Sequence, residues 1–309
     1  MNLRQLRTLV AVVEQGSIRG GARFLNLSQS AVTKAMQELE EEAGVALLVR
    51  RSRGVDLTEA GQRLLPRARL ITREAELARE DLQQANGADS GTLRVGLIPY
   101  VSLTALGEAF HWFRQRYRQV RVEFSESVMA RVLPRLRDGT LDLAVVAADA
   151  GELRGDDFRT QLLQRIPQRV VVRRGHPALA APTAEELVRY EWIYSRHPLH
   201  ERESRLAEMF GRAGVPPPSR YVVCDALQIF SLQRRNDCVS IMPELMLGKP
   251  ETRDIVGVPG TAIQPFDLEL TMLRRADTPL TPAAAYFAHC LVETLRTELS
   301  PVSDEAGKD

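Results

Sequence analysis

The stretch from Gly16 to Leu48, GSIRGGARFLNLSQSAVTKAMQELEEEAGVALL, limits the possible folds more than any other part of the chain. Its apolar spacing and stop signals describe two short helices joined by a tight turn. The first starts after Ser17 and carries Ile18, Ala22 and Leu25 at helical spacing, with Asn26 where a left-handed turn residue is wanted. Ser28 caps the second by accepting from the free backbone N–H groups of its first turn, and Gly44 stops it. Ala31, Ala35, Leu39 and Ala43 repeat every four residues, so with Val32 and Met36 they turn one face inward.

Gln29, Ser30, Thr33 and Lys34 are left outside, beside Ser28. Short polar side chains and one cation in the first turns of a helix are suited to base edges in a major groove. The acids Glu38, Glu40, Glu41 and Glu42 come later and would repel phosphates, so the helix is expected to point its N-terminal end at DNA. In LLVRRSRGVDLTEAG, Leu47 to Arg51 and Val55 to Leu57 form a hairpin whose basic residues are Arg50, Arg51 and Arg53. Beside a helix pair this reads as the wing of a winged helix-turn-helix, placed for phosphate or minor-groove contact.

Thr58 to about Ala85 is a long helix in which Leu64, Ala68, Ile71, Ala75, Ala78 and Leu82 make a heptad seam. A second subunit would cover that seam, and two recognition helices would then read an interrupted palindrome. Packing of the seam on the chain's own other domain is the alternative, and Pro66 is expected to bend the helix near its start in either case. NGADSG after it is small and polar, a hinge.

These elements in order, from LRQLRTLVAVVEQGS through LNLSQSAVTKAMQELE and LLVRRSRGVDLTEAG to the long helix, resemble the DNA-binding module of the LysR-type transcriptional regulators. The resemblance extends over the whole chain. It implies dimers or tetramers on double-stranded promoter DNA, a small-molecule effector, and contact with RNA polymerase. Two positions depart from the family pattern: Ser30 stands where proline is common, and Gly20-Gly21 where alanines are usual. Each glycine within a helix costs roughly 1 kcal/mol relative to alanine, so a weakened module is expected.

From Leu93 the pattern becomes βαβαβ, with strands at Leu93 to Ile98, Val120 to Ser125 and Leu141 to Val146, and helices at Ser102 to Tyr117 and Val128 to Asp138. Further strands follow near Val170 to Val172, Trp192 to Tyr194, Tyr221 to Cys224 and Val239 to Met242. The chain returns through Leu268 to Leu273 and ends in a helix from Thr281 to about Leu299. The expected fold is α/β: an all-α winged helix-turn-helix with a long linker helix, then two α/β lobes of periplasmic-binding-protein type joined by strands near Phe158 to Gln164 and Phe266 to Leu270. The division expected is 1–58 for DNA binding, 59–86 for the linker, 87–91 for the hinge and 92–309 for the effector region, with lobes at about 92–162 with 267–300 and at about 163–266.

Ligands of such sheets bind at the carboxyl ends of strands. Pro99, Tyr100, Ser102 and Thr104 follow the first strand, Ser127 and Val128 the second, and Ser195, Arg196 and His197 a strand of the other lobe. Ser102 and Thr104 lead this set as hydroxyls at a helix start, and converging donors there point to an anionic effector such as a carboxylate.

The rest of the sequence narrows the function by exclusion. At 309 residues, 44% hydrophobic and 26% charged, with a net charge of +1, the chain is an ordinary globular protein that must localise any basic surface. No apolar run reaches the length of a membrane span, and no leader precedes the first amphipathic helix, so a cytoplasmic protein without membrane contact is expected. Cys224, Cys238 and Cys290 are too few and too far apart for a zinc ribbon and have no basic neighbourhood, which reads as buried hydrophobes rather than a redox pair. His197, His200 and Glu201 are broken by Pro198, so no metal site is expected, and no cofactor. No nucleophile elbow, phosphate loop or zincin helix is present, which argues against an enzyme. A regulator that binds DNA without an effector remains open, while a transported-solute receptor is opposed by the N-terminal module.

Overall fold

The computed structural model describes residues 1–51, 54–127, 129–148, 153, 156–195 and 199–297, with backbone only for Arg50 and residues 199–203. Helices α1 (Leu3–Glu14), α2 (Ile18–Phe24) and α3 (Gln29–Ala43) precede the hairpin β1 (Leu48–Arg51) and β2 (Gly54–Leu57) and the long helix α4 (Glu59–Ala85). Asn2, Ser17, Ser28 and Thr58 each accept from a backbone N–H in the first turn of the helix they precede. Asn26 turns the chain between α2 and α3 at φ 53°, and Gly44 ends α3 at φ 68°.

The glycine pair has a different physical meaning from the one expected. Both glycines are buried where α2 crosses α1, and a Cβ on Gly21 would lie 2.9 Å from Val12 Cγ2 and 3.0 Å from its Cα. On Gly20 it would meet Gln15 Cβ at 2.8 Å. The lost helix propensity is thus offset by a closer approach of the two helices. Gly54, at φ 129°, likewise lets the hairpin touch the α1–α2 turn, where Val55 N donates to the Gly16 carbonyl over 3.2 Å.

The second part begins with β3 (Thr92–Leu97), α5 (Pro99–Leu103), α6 (Leu106–Arg116), β4 (Arg121–Glu126), α7 (Met129–Arg137), β5 (Leu143–Ala147) and β6 (Phe158–Ile166). It continues as β7 (Gln168–Arg173), α8 (Ala184–Leu187), β8 (Glu191–Ser195), α9 (Leu199–Arg212), β9 (Tyr221–Cys224), α10 (Ala226–Gln233), β10 (Cys238–Pro243), β11 (Ile255–Gly257), β12 (Leu268–Arg275) and α11 (Pro282–Thr297). One sheet has the order β4-β3-β5-β12-β6 and the other β11-β7-β10-β8-β9. β4, β3 and β5 are parallel, whereas β12 runs antiparallel to β5 and β6. The chain passes from the first sheet to the second at Pro167 and returns before Leu268. Leu97, Phe113 and Phe287 belong to one apolar core with Val171 and Met242 of the second sheet and Met246 in the turn after β10, so the lobes meet through packed side chains. A second core surrounds the fully buried Trp192.

The single helix expected from Ser102 to Tyr117 is two helices. Pro99 supplies the preset φ of a first helical position, so α5 starts three residues early, and it ends at Thr104 (φ −110°, ψ −76°) before α6 begins.

His176 is 2% exposed, and its Nδ1 accepts from Ala178 N over 3.1 Å. Burial pushes its pKa below the ordinary value, although Asp237 pulls the other way. The unfolded chain therefore binds the extra proton first, and this contribution to stability is lost as pH falls through about 6.5. A chemical-denaturation series over that range should show the loss, and His176→Asn should flatten it. The glycines give a paired test: Gly21→Ala should destabilise by about 1–3 kcal/mol through overpacking. Gly107→Ala, at an exposed helical site with nothing within 4 Å of the new Cβ, should stabilise by about 0.5–1 kcal/mol. Opposite shifts in Tm check both signs.

Candidate nucleic-acid interface and inter-lobe cavity

Val32, Ala35, Met36 and Leu39 of α3 are buried, while Ser28, Gln29, Ser30 and Lys34 are exposed and Thr33 is half-buried. The first turn of α3 contains no acid. Ser28 Oγ lies 3.0 Å from Ser30 Oγ, and Lys34 is 78% exposed, with Glu38 3.9 Å away as a loose partner. Glu40 also has a structural task. Its Oε1 accepts from Leu47 N (2.7 Å) and Leu48 N (3.0 Å), tying the hairpin to α3. Arg51 is exposed and paired with Asp56 across the hairpin at 2.7 Å. Arg53 lies outside the described residues, as does the side chain of Arg50.

The proposed seam on α4 divides in two. Leu64 and Ala68 pack with Leu6, Leu9 and Met36, so those two positions serve the chain's own helical core. That corrects their assignment to a partner: the first turns of α4 face α1. Beyond them, Ile71 is 45% and Leu82 67% exposed, Ala78 is exposed and Ala75 half-buried. The apolar spacing 71, 75, 78, 82 therefore remains available. α4 is continuous through Pro66.

A polar joint connects α4 to the first lobe. Arg73, 5% exposed, donates through Nη2 to both oxygens of Asp142 (2.9 and 3.1 Å) and to the Thr92 carbonyl (2.9 Å), while its Nη1 meets Glu80 at 3.4 Å. Burial opposes the guanidinium charge, but Asp142, Glu80 and Glu76 outweigh it and hold the proton more firmly than usual. Burial also pushes the Glu80 carboxyl up, against the pull of Arg73 and of the Thr92 N–H. Arg69 bridges Glu14 of α1 (3.5 Å) and Asp138 after α7 (3.4 Å). The expected hinge is itself held: Gln84 Nε2 donates to the Ser90 carbonyl, and Asp89 accepts from Arg118 N and Gln119 N.

Between the lobes is a cavity of about 180 Å³ at the carboxyl ends of β3, β4, β5, β8 and β9. Pro99, Tyr100, Ser127 and Ser195 line it together. Ser102 and Thr104 do not, because their hydroxyls donate back to the carbonyls of Ile98 (3.3 Å) and Tyr100 (2.8 Å) within their own helix. They lie inside or beyond α5 rather than at its start, so the case for a converging set of donors falls with them. Val128, Arg196 and His197 lie outside the described residues. The periodicity of the sequence does not point to Glu126, Gln168, Asp225, Ile229, Phe230 and Met242, which also line it. Asp225, directly before α10, was the one recognisable signal, since aspartate before an apolar helical run marks a helix start.

Cys224 and Cys238 are both buried. Cys224 pairs with Ser195 at one end of β8 and Cys238 with Glu191 at the other, on opposite sides of that strand. Ordinary strand spacing and rise then put their Cα atoms about 16 Å apart, well beyond the roughly 7 Å a disulfide spans. Burial also raises the Cys238 thiol, as do Glu191 and Asp237. Among the described residues no group of three or more potential metal ligands forms; the side chains of His200 and Glu201 are not among them.

Two family models match: residues 3–62 fit the bacterial regulatory helix-turn-helix protein of the lysR family, and residues 86–296 the LysR substrate binding domain. The SDS degradation transcriptional activation protein of Pseudomonas sp. (strain ATCC 19151) is 31% identical over 248 residues, covering 78% of this chain and 79% of that protein. Among solved structures, a full-length OxyR variant from Pseudomonas aeruginosa superposes with a TM-score of 0.69 at 22% identity, covering 96% of this chain and 95% of that one. Full-length CbnR complexed with its target DNA gives 0.65 at 23%, covering 95% and 100%.

The joint yields a prediction about stability. Asp142→Ala should cost about 3 kcal/mol by taking from a buried guanidinium its nearest carboxylate, with Glu80 and Glu76 left as more distant partners. Arg73→Met combined with Asp142→Leu should lose much less than the sum of the single changes, a coupling that urea denaturation of the four proteins measures.

Proposed function

The chain belongs to the LysR family of transcriptional regulators, and from that premise we propose that it reads promoter DNA as a dimer or dimer of dimers. In this reading Ser28, Gln29, Ser30, Thr33 and Lys34 enter the major groove while Arg50, Arg51 and Arg53 meet the flanking backbone or minor groove. The observation that carries it is the polarity of α3, with an exposed, acid-free first turn and glutamates gathered at the other end. Ile71, Ala75, Ala78 and Leu82 form the subunit contact, and a small molecule in the inter-lobe cavity changes transcription by binding two arrangements of the dimer unequally. RNA polymerase is the further partner, the cytoplasm the location, and regulation rather than catalysis the task. No helix among the described residues is long and apolar enough to cross a membrane.

Titration against the protein's own promoter region at several salt concentrations tests the DNA surface. Lys34→Ala should weaken binding and reduce the slope of log affinity against log salt by about 1, the share of a single phosphate contact. Gln29→Ala should relax sequence preference with little change in slope. Unchanged affinity and slope in both variants would remove α3 as the reading element.

A further inference from the structure

The charged groups among the described residues that line the inter-lobe cavity are carboxylates. Glu126 ends β4, Asp225 stands before α10, and among the described lining residues there is no lysine, arginine or histidine. Gln168 donates one of its two amide N–H groups to the Phe266 carbonyl over 2.7 Å. Ser127 Oγ is buried with no hydrogen-bond partner, and a Cβ on Gly96 would come within 2.7 Å of it, so the absence of a side chain at Gly96 makes room for the hydroxyl. The remaining wall is apolar, with Ile98, Leu103, Ile229, Phe230 and Met242 prominent. A carboxylate would enter this space against two like charges. An ammonium brings the opposite charge and three N–H donors, for which the Glu126 carboxylate is one acceptor and the Ser127 hydroxyl another.

Resting on the reading of this cavity as the effector site, we infer that the effector is a compact apolar amine, a single ring or short chain with a cationic head beside Glu126 and Ser127. At about 180 Å³ the cavity is smaller than the roughly 300–1,000 Å³ of drug-sized pockets. Its apolar wall accepts the ring, and the charge-assisted hydrogen bond to Glu126 supplies discrimination.

The test uses the full chain with four probes of similar size: 2-phenylethylamine, cyclohexylamine, 2-phenylethanol and phenylacetate. Thermal shift and calorimetry should show both amines binding about tenfold or more tighter than phenylacetate, the difference expected for one hydrogen bond to a charged group. Glu126→Gln should remove that preference while leaving 2-phenylethanol binding and the unliganded Tm unchanged. Phenylacetate binding as tightly as the amines overturns the inference; its loss in Arg196→Ala would identify the counter-charge that does so. No amine-dependent shift at millimolar concentration overturns it too. Promoter binding measured with and without amine separates this inference from the functional reading. Amine binding that Glu126→Gln abolishes, with promoter affinity and footprint unmoved, upholds the ligand class and removes the cavity's effector role.

Discussion

The ion pair between Arg73 and Asp142 holds the two halves of the chain in their relative positions. The guanidinium is almost wholly withdrawn from water, so its charge has to be met by carboxylates, and Asp142, Glu80 and Glu76 converge on it from the lobe and from its own helix. Thr92 and Asp142 stand where β3 and β5 begin, and those strands finish at the cavity beside Ile98 and Ala147. One turn earlier, Arg69 reaches back to α1 and forward to Asp138. Two arginines on one face of a helix thus join the helical head, the linker and the strands that floor the cavity. A buried pair of this kind contributes little net stability over an apolar substitute but strongly penalises misplacement, which suits a joint whose angle matters.

Much of this was legible from the residues. The helix start after Ser17, the cap at Ser28, the stops at Asn26 and Gly44, and the alternation of strands with helices all rest on local rules, and local rules read locally. The joint could not be read that way. Nothing in the spacing of α4 separates Arg73, one of its many charged residues, from Arg67 or Arg79, because what distinguishes it is Asp142, 69 residues away. The seam shows the same limit. Leu64 and Leu82 obey one heptad, yet the first meets α1 and the second meets solvent.

The cavity illustrates a different failure. Hydroxyls near a helix start are good candidates for ligand contact only if the start is located correctly. Pro99 moved it, and Ser102 and Thr104 then satisfied themselves on carbonyls one turn back. Gly20 and Gly21 carry a related lesson. Propensity scales value a glycine by what it costs its own helix, whereas here the deciding quantity is the clearance to Val12 and Gln15 on the next one.

Glu40 ties the hairpin to α3 through two backbone N–H groups, and the hairpin touches the α1–α2 turn again at Gly16. The helix and the hairpin are in consequence one solid piece, with little freedom to adjust their separation. Such a piece acts as a gauge. With the docking proposed above, a duplex would have to present two neighbouring grooves at the matching interval, and local twist and groove width would become part of what is recognised, at base pairs no side chain touches.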